Sequence, residues 1–428
     1  MREEQTKATT ERLIFHVDVN SAFLSWESVR RIKEGLPDLR DIPACIGGDP
    51  TKRTGIVVAK SIPAKKCGVQ TGEPVAMALR KCPNMVIVPS DFDLYVRCSR
   101  AFKKICASYT PVMESFSIDE VFLDMTGTSL LYPDPIAAAH EIKDRIYEEL
   151  GFTVNIGIST NKLLAKMASD FEKPNKVHTL FPEEIPEKMW PLPVRDLLFL
   201  GKASEQRLLQ EGIKTIGDMA RSGEAELKRI LGEKAGHQLY RYANGIDDSP
   251  VRAEREEAKG YSAETTVEED LVTYEQALAL LLAQCDVVAA RMRRDGKKCS
   301  CVAVTYRTLD FKTRSHQRAF EDPTDVTDEI FAQVKKLLYE CWKCEPLRLI
   351  GMALTDLTTD DFRQISLFEN PDEREKQKKA DEAFDDIRRR FGNGMIVRGS
   401  TMSTAGKVAR KAKAQMDQDV RIKKEKEK

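Results

Sequence analysis

Apolar positions along residues 12–159 alternate with polar ones in a way that predicts strands and helices in a fixed order. "RLIFHVDV", residues 12–19, is a continuous apolar run rich in β-formers, and "NSAFLSWESVRRIKEG", residues 20–35, follows with helical spacing. Asn20 or Ser21 can cap this helix, and Gly35 can end it. The chain from about residue 36 to residue 90 is punctuated by proline and glycine, which indicates an insertion.

The next elements complete a recognisable unit. Two short strands at 111–117 and 120–125 are close enough to form a hairpin, and "DPIAAAHEIKDRIYEEL" (134–150) has a cap residue before a proline at its first helical position. "FTVNIGIS" (152–159) alternates as a strand. Without the insertion the order is β-α-β-β-α-β, the split βαβ pattern.

The same order recurs further along the chain. We predict strands at 259–270, 299–307, 311–320 and 347–357, and helices at 274–294 and 325–341. Residues 182–250, between the two units, have the pattern of short helices. After residue 368 the sequence is highly charged and poor in core residues, which predicts a tail that is helical in part and disordered at its end.

Composition narrows the class of protein. The 428 residues predict two to four domains, and 68 basic side chains balance 68 acidic ones. That balance argues against a simple nucleic-acid-coating protein. No apolar run reaches the roughly 18 residues of a membrane helix, and "MREEQTKATTERL" lacks the apolar core of a signal peptide. We therefore expect a cytoplasmic protein that makes no contact with membranes.

The ten cysteines are expected to be reduced core thiols in a cytoplasmic chain. Cys341 and Cys344, in "CWKC", have the spacing of metal ligands, and Cys299 and Cys301 are conceivable partners. A Cys-x-Cys pair is poor zinc geometry, and both segments are predicted as regular elements. The core-thiol interpretation is favoured over a zinc site.

Two adjacent acids raise the main chemical question. Asp119 and Glu120 lie within "ESFSIDEVFLDMTG", which otherwise has the pattern of a buried hairpin. Strict alternation would send them to opposite faces, but a hairpin tip or a bulge allows both to converge. The end of the first strand can lie beside this hairpin, so Asp18 would join them. Three convergent carboxylates need cations, and ligands that are all oxygen suit Mg²⁺.

Three motifs carry a resemblance to a known family. "FHVDVNSAF", "SIDEVFLD" and "NIGISTNKLLAKMASDFEKPN" resemble motifs of the Y-family translesion DNA polymerases, the polymerase IV and UmuC-like kind. The resemblance covers residues 12 to about 368. It implies an α+β multidomain protein, a right-hand polymerase with a split-βαβ palm, small fingers, a helical thumb and a βαββαβ little-finger domain.

The resemblance assigns domains to the predicted segments. It implies a palm in two parts (1–34 and 91–181), fingers (35–90), a helix–hairpin–helix-like thumb (182–250), a linker (251–259), a little finger (260–363), a clamp-binding peptide (364–368) and a charged tail (369–428).

The resemblance also assigns the metal site. In the family two Mg²⁺ ions, which Mn²⁺ can replace, are held by the acids that correspond to Asp18, Asp119 and Glu120, with the carbonyl of Val19 as a further ligand. Glu120 also counts as catalytic. One ion activates the primer 3′-hydroxyl and the other stabilises the departing pyrophosphate, about 4 Å away. The alternative is a salt-bridged pair of acids on a strand.

Further positions match the nucleotide site. Phe23 corresponds to the family's steric gate against a ribose 2′-hydroxyl, although by itself it is typical of a core aromatic. Lys173 matches the lysine that contacts the triphosphate, and Lys162 and Lys166 share a helix face before it, capped by Ser159 or Thr160. The family's Tyr-x-x-Arg in the fingers is here Ile62 to Lys65. Lys65 keeps the charge without the bidentate fork, and Arg53 is a further candidate.

The predicted DNA contacts come from the thumb and the little finger. The family's Gly-x-Gly thumb turn is reduced to Gly201 and Lys202, whose backbone N–H groups can meet a phosphate. On the strand 311–320, one face carries a row of basic residues: Lys312, Arg314, His316 and Arg318. This row is either a solvated edge or a track along the phosphate backbone.

"QISLF" resembles the short peptide by which bacterial polymerases dock on the sliding clamp, with Gln364, Ile365, Leu367 and Phe368 as the contact residues. The implied function is template-directed, error-prone translesion DNA synthesis on primer-template DNA with deoxynucleoside triphosphates, by a monomeric enzyme. The alternatives are a weak or narrow-specificity nucleotidyl transferase on the same scaffold, and a non-catalytic scaffold that binds DNA and the clamp.

Overall fold

The structure, a computed structural model, describes residues 12–51, 55–254, 256–360, 371–392 and 395–399. Two compact units divide the chain near residue 255, and the second also takes in two short earlier segments, 48–56 and 74–76. Arg53, the clamp-like peptide at 364–368 and the end of the charged tail lie outside the described residues. No helix of the described chain is long and apolar enough to cross a membrane.

The first unit begins with the palm elements that the sequence predicts, interrupted by the insertion. Its elements are β1 (Ile14–Val19), α1 (Ala22–Lys33), β2 (Ala44–Gly47), β3 (Val57–Lys60), α2 (Ile62–Lys66), α3 (Val75–Lys81), β4 (Val86–Val88), α4 (Phe92–Cys106), β5 (Met113–Ser115), β6 (Glu120–Asp124), α5 (Pro135–Leu150), β7 (Val154–Ser159), α6 (Lys162–Ser169) and β8 (Val177–Thr179). The insertion forms a separate small sheet in the order β3-β2-β4.

The palm sheet has the order β5-β6-β1-β7-β8 in the described chain. β1 is buried along its whole length because it lies between β6 and β7, and it pairs antiparallel with both. Antiparallel pairing sets the end of β1 beside the start of β6, so Asp18 faces Glu120. A parallel arrangement would have placed Asp18 near Asp124 instead, and this register is what brings the acids together.

Short helices follow the palm, as predicted. After short 3₁₀ and π turns between Pro182 and Asp196 come α7 (Lys202–Gln210), α8 (Ile216–Ser222), α9 (Glu224–Leu231) and α10 (Glu233–Ala243). Their apolar faces pack together with that of α6 in one core, which includes Leu164, Leu208, Ile216 and Leu227. Thr215 caps α8 by accepting the amide of Asp218 at 3.0 Å, and the Asp218 carboxylate accepts the amide of Thr215 in return at 2.9 Å.

The second unit repeats the β-α-β-β-α-β order that the sequence predicts. It contains β9 (Gly260–Leu271), α11 (Tyr274–Arg294), β10 (Lys298–Thr308), β11 (Thr313–Thr324), α12 (Thr327–Cys341) and β12 (Leu347–Thr358). The sheet has the order β11-β10-β12-β9, and every neighbouring pair is antiparallel. The α+β architecture predicted from the sequence is confirmed.

Two helices were not predicted as the structure has them. α4 is absent from the prediction, although Asp91 caps it and its apolar residues recur at helical spacing. The start of the predicted tail forms α13 (Pro371–Phe391), which packs on the second unit. Asp381 accepts the amide of Thr327 at 2.8 Å and pairs with Arg293 at 3.2 Å. The prediction of partial helix is confirmed, but residues 371–391 are a docked element.

Smaller expectations need correction. Ser21 is the cap residue of α1 but makes no capping hydrogen bond through its side chain. Asn161, not Ser159 or Thr160, caps α6, since its side chain accepts the Leu164 amide at 2.9 Å. All ten cysteines are free thiols, and Cys299 and Cys301 are buried.

Candidate active site of the palm

The candidate site lies at one end of the palm sheet, where β1 ends and β6 begins. Asp18 is only 8% exposed and sits opposite Glu120 in the register of the two strands. Asp119 occupies the turn just before β6, and its carbonyl accepts the Val19 amide at 3.0 Å. The register thus sets Asp18 opposite Glu120, and Asp119, next to Glu120, is not bound by strand alternation because it lies in the turn.

Lysine ammonium groups offset the buried acids. Lys173 donates to Asp18 and also pairs with Asp170 at 2.7 Å, while Lys166, buried on α6, donates to Glu120. Lys162, one helical turn before Lys166, pairs instead with Glu114 at 2.7 Å. Lys166 and Lys173 thus contact the acids directly, whereas Lys162 contacts a different carboxylate.

The electrostatics at Asp18 reflect its burial. The pKa of Asp18 is raised to about 6, mainly by burial; Lys173 opposes this rise, and the nearby carboxylates of Glu120 and Asp119 add to it. Burial by itself would lower the pKa of Lys173, but the Asp18 and Asp170 carboxylates raise it above the ordinary value. The pKa of Asp18 thus responds both to the neighbouring acids and to the lysine that pairs with it.

A buried histidine, not predicted as part of the site, lies beneath Glu120. His16 Nδ1 lies 2.7 Å from the Ser169 hydroxyl, and Nε2 is 3.9 Å from the Glu120 carboxylate. Burial, together with the charges of Lys166, Lys173 and Lys162, holds the pKa of His16 well below its usual range. His16 therefore favours the neutral form, and it leaves Lys166 as the charged partner of Glu120.

The loop that carries Lys173 is fixed to the end of β1. Asn20 accepts the Asn175 amide at 2.9 Å and donates from its own side chain to Asn155 at 3.1 Å. Asn155 in turn donates to the carbonyl of Glu172 at 2.8 Å. This chain of amides explains why Lys173, 155 residues after Asp18 in sequence, reaches its carboxylate.

The donor set suits a hard divalent cation. It consists of carboxylate oxygens from Asp18, Asp119 and Glu120, together with the neighbouring backbone carbonyl of Val19, and oxygen donors are those that Mg²⁺ prefers. A complete metal site also requires that the donor side chains lie close enough together to surround the ion. In the part of the chain that the structure describes, no three acidic, histidine or cysteine side chains are grouped closely enough to hold an ion. The residues fit Mg²⁺ by their chemistry and mutual repulsion.

Phe23 belongs to a cluster of aromatic rings next to the end of β1. Its ring stacks on Tyr95 of α4 with centroids 4.7 Å apart, and the rings of Trp26 and Phe92 lie at 5.8 and 6.1 Å. Phe23 itself is only partly buried against the palm core, whereas Tyr95 and Trp26 are fully buried. Phe23 thus remains partly exposed, while its neighbours pack against the ring.

The fingers positions lie on α2. Ser61 caps this helix by accepting the amide of Ala64 at 3.1 Å, and Ile62 at its start is 55% exposed. Lys65 is exposed one turn later. Burial lowers the pKa of neighbouring Lys60, and the charge of Lys65 lowers it further, so two cations lie close together here. Lys60 was not predicted as part of this group.

The predicted thumb contact lies at the start of α7. Gly201 precedes the helix and offers no capping side chain, and Lys202 is its first residue; both are exposed. Phe199 has a φ of 64° and is 64% exposed, so a bulky residue adopts a left-handed conformation that glycine would adopt without strain. The turn is present although its first glycine is missing.

The predicted basic row lies on β11, which is an edge strand. Lys312 just precedes this strand and pairs with Asp310 at 2.7 Å, while Arg314 and Arg318 pair with Glu345 at 3.1 Å and Glu340 at 2.7 Å. The side chain of His316 stacks on Tyr306 with centroids 6.3 Å apart. All four basic side chains of the row are at least partly exposed, and acidic groups of the same unit offset three of them.

Comparison with known proteins identifies relatives along nearly the whole chain. The impB/mucB/samB family matches residues 17–170, its C-terminal domain matches residues 258–367, and the thumb domain of DNA polymerase-iota matches residues 195–247. A DNA polymerase IV of Clostridium acetobutylicum is 42% identical over 388 residues, which are 90% of this chain and 97% of that protein.

Further relatives of similar length are also DNA polymerases IV. A DNA polymerase IV of Acetivibrio thermocellus is 35% identical over 92% of this chain and 99% of its own length, and DNA polymerase IV 1 of Bacillus subtilis is 34% identical over 91% and 94%. Among solved structures, a Y-family DNA polymerase chimera matches with a TM-score of 0.69 at 22% identity. The match covers 81% of this chain and all of that one.

Proposed function

The chain belongs to the impB/mucB/samB family of Y-family DNA polymerases, and from this premise we propose that it performs error-prone translesion synthesis by two-metal-ion nucleotidyl transfer. It is a DNA-directed DNA polymerase, as its relatives are. The observation that carries the proposal is the register of β1 and β6, which sets the buried Asp18 opposite Glu120 and beside the turn of Asp119.

In the proposed reaction the primer 3′-hydroxyl attacks the α-phosphorus of a deoxynucleoside triphosphate, and the bond to pyrophosphate breaks. Asp18, Asp119 and Glu120 would hold two Mg²⁺ ions, with the Val19 carbonyl as a further ligand. When bound, such ions lower the pKa of the attacking hydroxyl and stabilise charge on the leaving group. Mn²⁺ has similar ligand preferences and is expected to substitute.

The chain's own cations and rings would position the nucleotide. Lys173 presents its ammonium group beside Asp18, where a triphosphate would lie, and Lys166 holds the carboxylate of Glu120. Lys65, with Lys60 close by, would add positive charge from the fingers in place of an arginine. The partly exposed ring of Phe23 would exclude a ribose 2′-hydroxyl, since the ring stacks on Tyr95 and cannot easily give way.

The proposal extends to the partners. Primer-template DNA would be held by the thumb start at Gly201 and Lys202 and by Lys312, Arg314 and Arg318 of the second unit. Gln364, Ile365, Leu367 and Phe368 would dock on a bacterial sliding clamp. We place the enzyme in the cytoplasm as a monomer that works with the DNA it copies.

Primer extension tests this function. With Mg²⁺, four deoxynucleoside triphosphates and a primer annealed to a longer template, the protein should add nucleotides that the template directs, and a template with an abasic site should be copied past the lesion. Extension only with Mn²⁺ or with one nucleotide would favour the narrow-specificity alternative. Binding without extension under any condition would favour the scaffold.

A further inference from the structure

Two side chains of α4 hold the turn that carries Asp119. The Ser99 hydroxyl donates to the carbonyl of Ile118, and Lys103 Nζ donates to the carbonyl of Ser117 at 2.6 Å. Ser99 and Lys103 are four residues apart and so lie on the same face of the helix. The carbonyls of two neighbouring residues, Ser117 and Ile118, are thus bonded by side chains that lie one helical turn apart on α4.

The other side of the turn is fixed to β1 and to itself. The Asp119 carbonyl accepts the Val19 amide at 3.0 Å, which joins the turn to the strand that carries Asp18. The Ser117 hydroxyl donates to the Asp119 carboxylate at 2.5 Å, and the Asp119 amide lies 3.2 Å from the same hydroxyl. The backbone around Asp119 is therefore held between β1 and α4.

A lysine is a costly residue for this position. Burial lowers the pKa of Lys103 to about 8, and the charge of Asp119 opposes that shift. A neutral donor would suffice to bond a carbonyl, as Ser99 does for Ile118. The additional feature of Lys103 is a positive charge that interacts electrostatically with the Asp119 carboxylate.

We propose that Ser99 and Lys103 are positioning residues for nucleotidyl transfer, which fix the Ser117–Ile118 backbone so that Asp119 is presented beside Asp18. Neither residue touches the substrate or the reacting atoms. The inference rests on the proposed function, because it assigns Asp119 to the metal site. If the turn already holds the metal ligand in place before the ion binds, the free energy needed to order that ligand does not have to be supplied at each turnover.

Four variants separate this role from a purely structural one. Lys103→Met removes the charge and the donor while keeping the length of the side chain, and Lys103→Arg keeps both charge and donor. Ser99→Ala removes only the second hydrogen bond. Lys104→Met is the matched control, because Lys104 is the next residue of α4 and is exposed.

Three measurements are made on the full-length protein. Primer extension gives kcat, the KM for the nucleotide and the Mg²⁺ concentration for half-maximal rate. Hydrogen exchange of the Val19 amide, measured without metal or DNA, reports directly on the bond to the Asp119 carbonyl. Thermal unfolding shows whether each variant is folded at the assay temperature.

A misplaced catalytic group can cost on the order of 100-fold in rate, so Lys103→Met should lose kcat on that scale. It should also need more Mg²⁺ and exchange the Val19 amide faster than the parent. Ser99→Ala should shift in the same direction by less, Lys103→Arg should recover most of the loss, and Lys104→Met should match the parent.

Three results would overturn the inference. One is a Lys103→Met protein with the parent's kcat, Mg²⁺ requirement and Val19 exchange. Another is a Lys103→Met protein whose lower activity is explained entirely by a smaller folded fraction, with unchanged Mg²⁺ requirement. The third is an unchanged Ser99→Ala when Lys103→Met does not fold. If the parent itself extends no primer, the proposed function fails instead.

Discussion

At the scale of single residues, the site is defined by buried charges and the groups that offset them. Asp18 is almost fully buried, and without Lys173 its carboxylate would be an unpaired charge in a low-dielectric site. The acids were predictable from the sequence because adjacent carboxylates in an apolar hairpin need an explanation. Their lysine partners were predicted as triphosphate contacts, and the sequence held no sign that Lys166 and Lys173 pair with those acids directly.

Two other residues of the site were not predicted, because the sequence around each has no pattern that marks it as part of a site. His16 lies within a strand that was predicted from its apolar run, and Lys103 lies on α4, which was not predicted. Their importance comes from contacts across long stretches of chain, such as His16 with Ser169. No periodicity or motif reports a contact of that kind.

Phe23→Ala should relax sugar selection. The ring is partly exposed on α1, just after β1, and alanine would leave space for a 2′-hydroxyl. We expect ribonucleotide incorporation relative to deoxynucleotide to rise on the order of 100-fold or more, measured by single-nucleotide insertion. Phe92→Ala is the matched control, because it removes another ring of the same cluster, 6.1 Å from Phe23. Equal ratios in the parent and in Phe23→Ala would leave Phe23 a core residue only.

Lys103 also predicts a pH dependence of stability. Its pKa is lowered from 10.5 to about 8 in the folded protein, so the folded state binds fewer protons than the unfolded state between those values. The penalty for the buried charge is full below pH 8 and is lost as the pH rises towards 10.5. The free energy of unfolding of the parent should therefore rise relative to Lys103→Met across this range, by up to about 3 kcal/mol.

Denaturant unfolding of the two proteins at several pH values checks this. The comparison with Lys103→Met cancels the contributions of the other lysines and the tyrosines that titrate in the same range. Parallel curves for the two proteins between pH 8 and 10.5 would mean that Lys103 keeps its ordinary pKa.

At the scale of elements, periodicity predicted best where apolar faces do the packing. α11 spans residues 274–294, as predicted, and β10, α12 and β12 lie within two residues of their predicted bounds. Each of these elements buries a regular set of apolar side chains in the apolar core of the second unit. α4 has the same kind of signal, with Tyr95, Phe102 and Ile105 buried, so its sequence contains what is needed to predict it.

α13 shows a different limit of sequence reasoning. Its surface is mostly charged, and apolar periodicity therefore predicted only a tail. The helix is nonetheless docked, through Asp381 and Arg293 and through a second pair in which Arg388 contacts Asp286 at 3.5 Å. Buried ion pairs depend on geometry at both partners, and the sequence shows only the charges.

β11 gives a prediction for DNA binding. If Arg314 and Arg318 follow the phosphate backbone, changing both to Gln should weaken binding to all sequences alike. Each lost phosphate contact should reduce the slope of log affinity against log salt by about 0.9, which fluorescence anisotropy at several salt concentrations measures.

Glu340→Gln with Glu345→Gln is the reciprocal test, since these acids pair with the same two arginines. Removing the acids should strengthen DNA binding, because the arginines would then bind phosphates without first breaking their ion pairs with Glu340 and Glu345. An unchanged salt slope in the double arginine variant would restore the solvated-edge interpretation of this strand.

At the scale of the whole molecule, the family and the general architecture followed from three motifs and one repeated element order. The position of the first strand beside the hairpin was also expected, but the strand directions were not predicted, because a β-α-β-β-α-β order does not fix them. Asp18 meets Glu120 only because β1 and β6 run antiparallel. The domain boundaries inferred from the resemblance remain predictions, as do the roles of the DNA contacts.

Binding of the sliding clamp by residues 364–368 remains a prediction, since these residues lie outside the described chain. Leu367 and Phe368 would each bury a side chain worth roughly 1.5–3 kcal/mol. Changing both to alanine should therefore remove most of the affinity of a micromolar peptide, about −8 kcal/mol in total. A pull-down with the sliding clamp, beside extension assays with and without it, measures this. Synthesis on short primers without the clamp should be unaffected, and undiminished clamp binding by the double variant would place the contact elsewhere.

The central claim is that Asp119 and Glu120 hold the cations of nucleotidyl transfer, and one comparison tests it most directly. Asp119→Asn, Glu120→Gln and the parent are assayed for primer extension with saturating Mg²⁺ and, in parallel, for primer-template binding. Both variants keep the shape of the side chain and remove its charge, so we predict that extension is abolished while DNA affinity stays close to that of the parent. Near-parental extension by either variant would contradict the two-metal assignment.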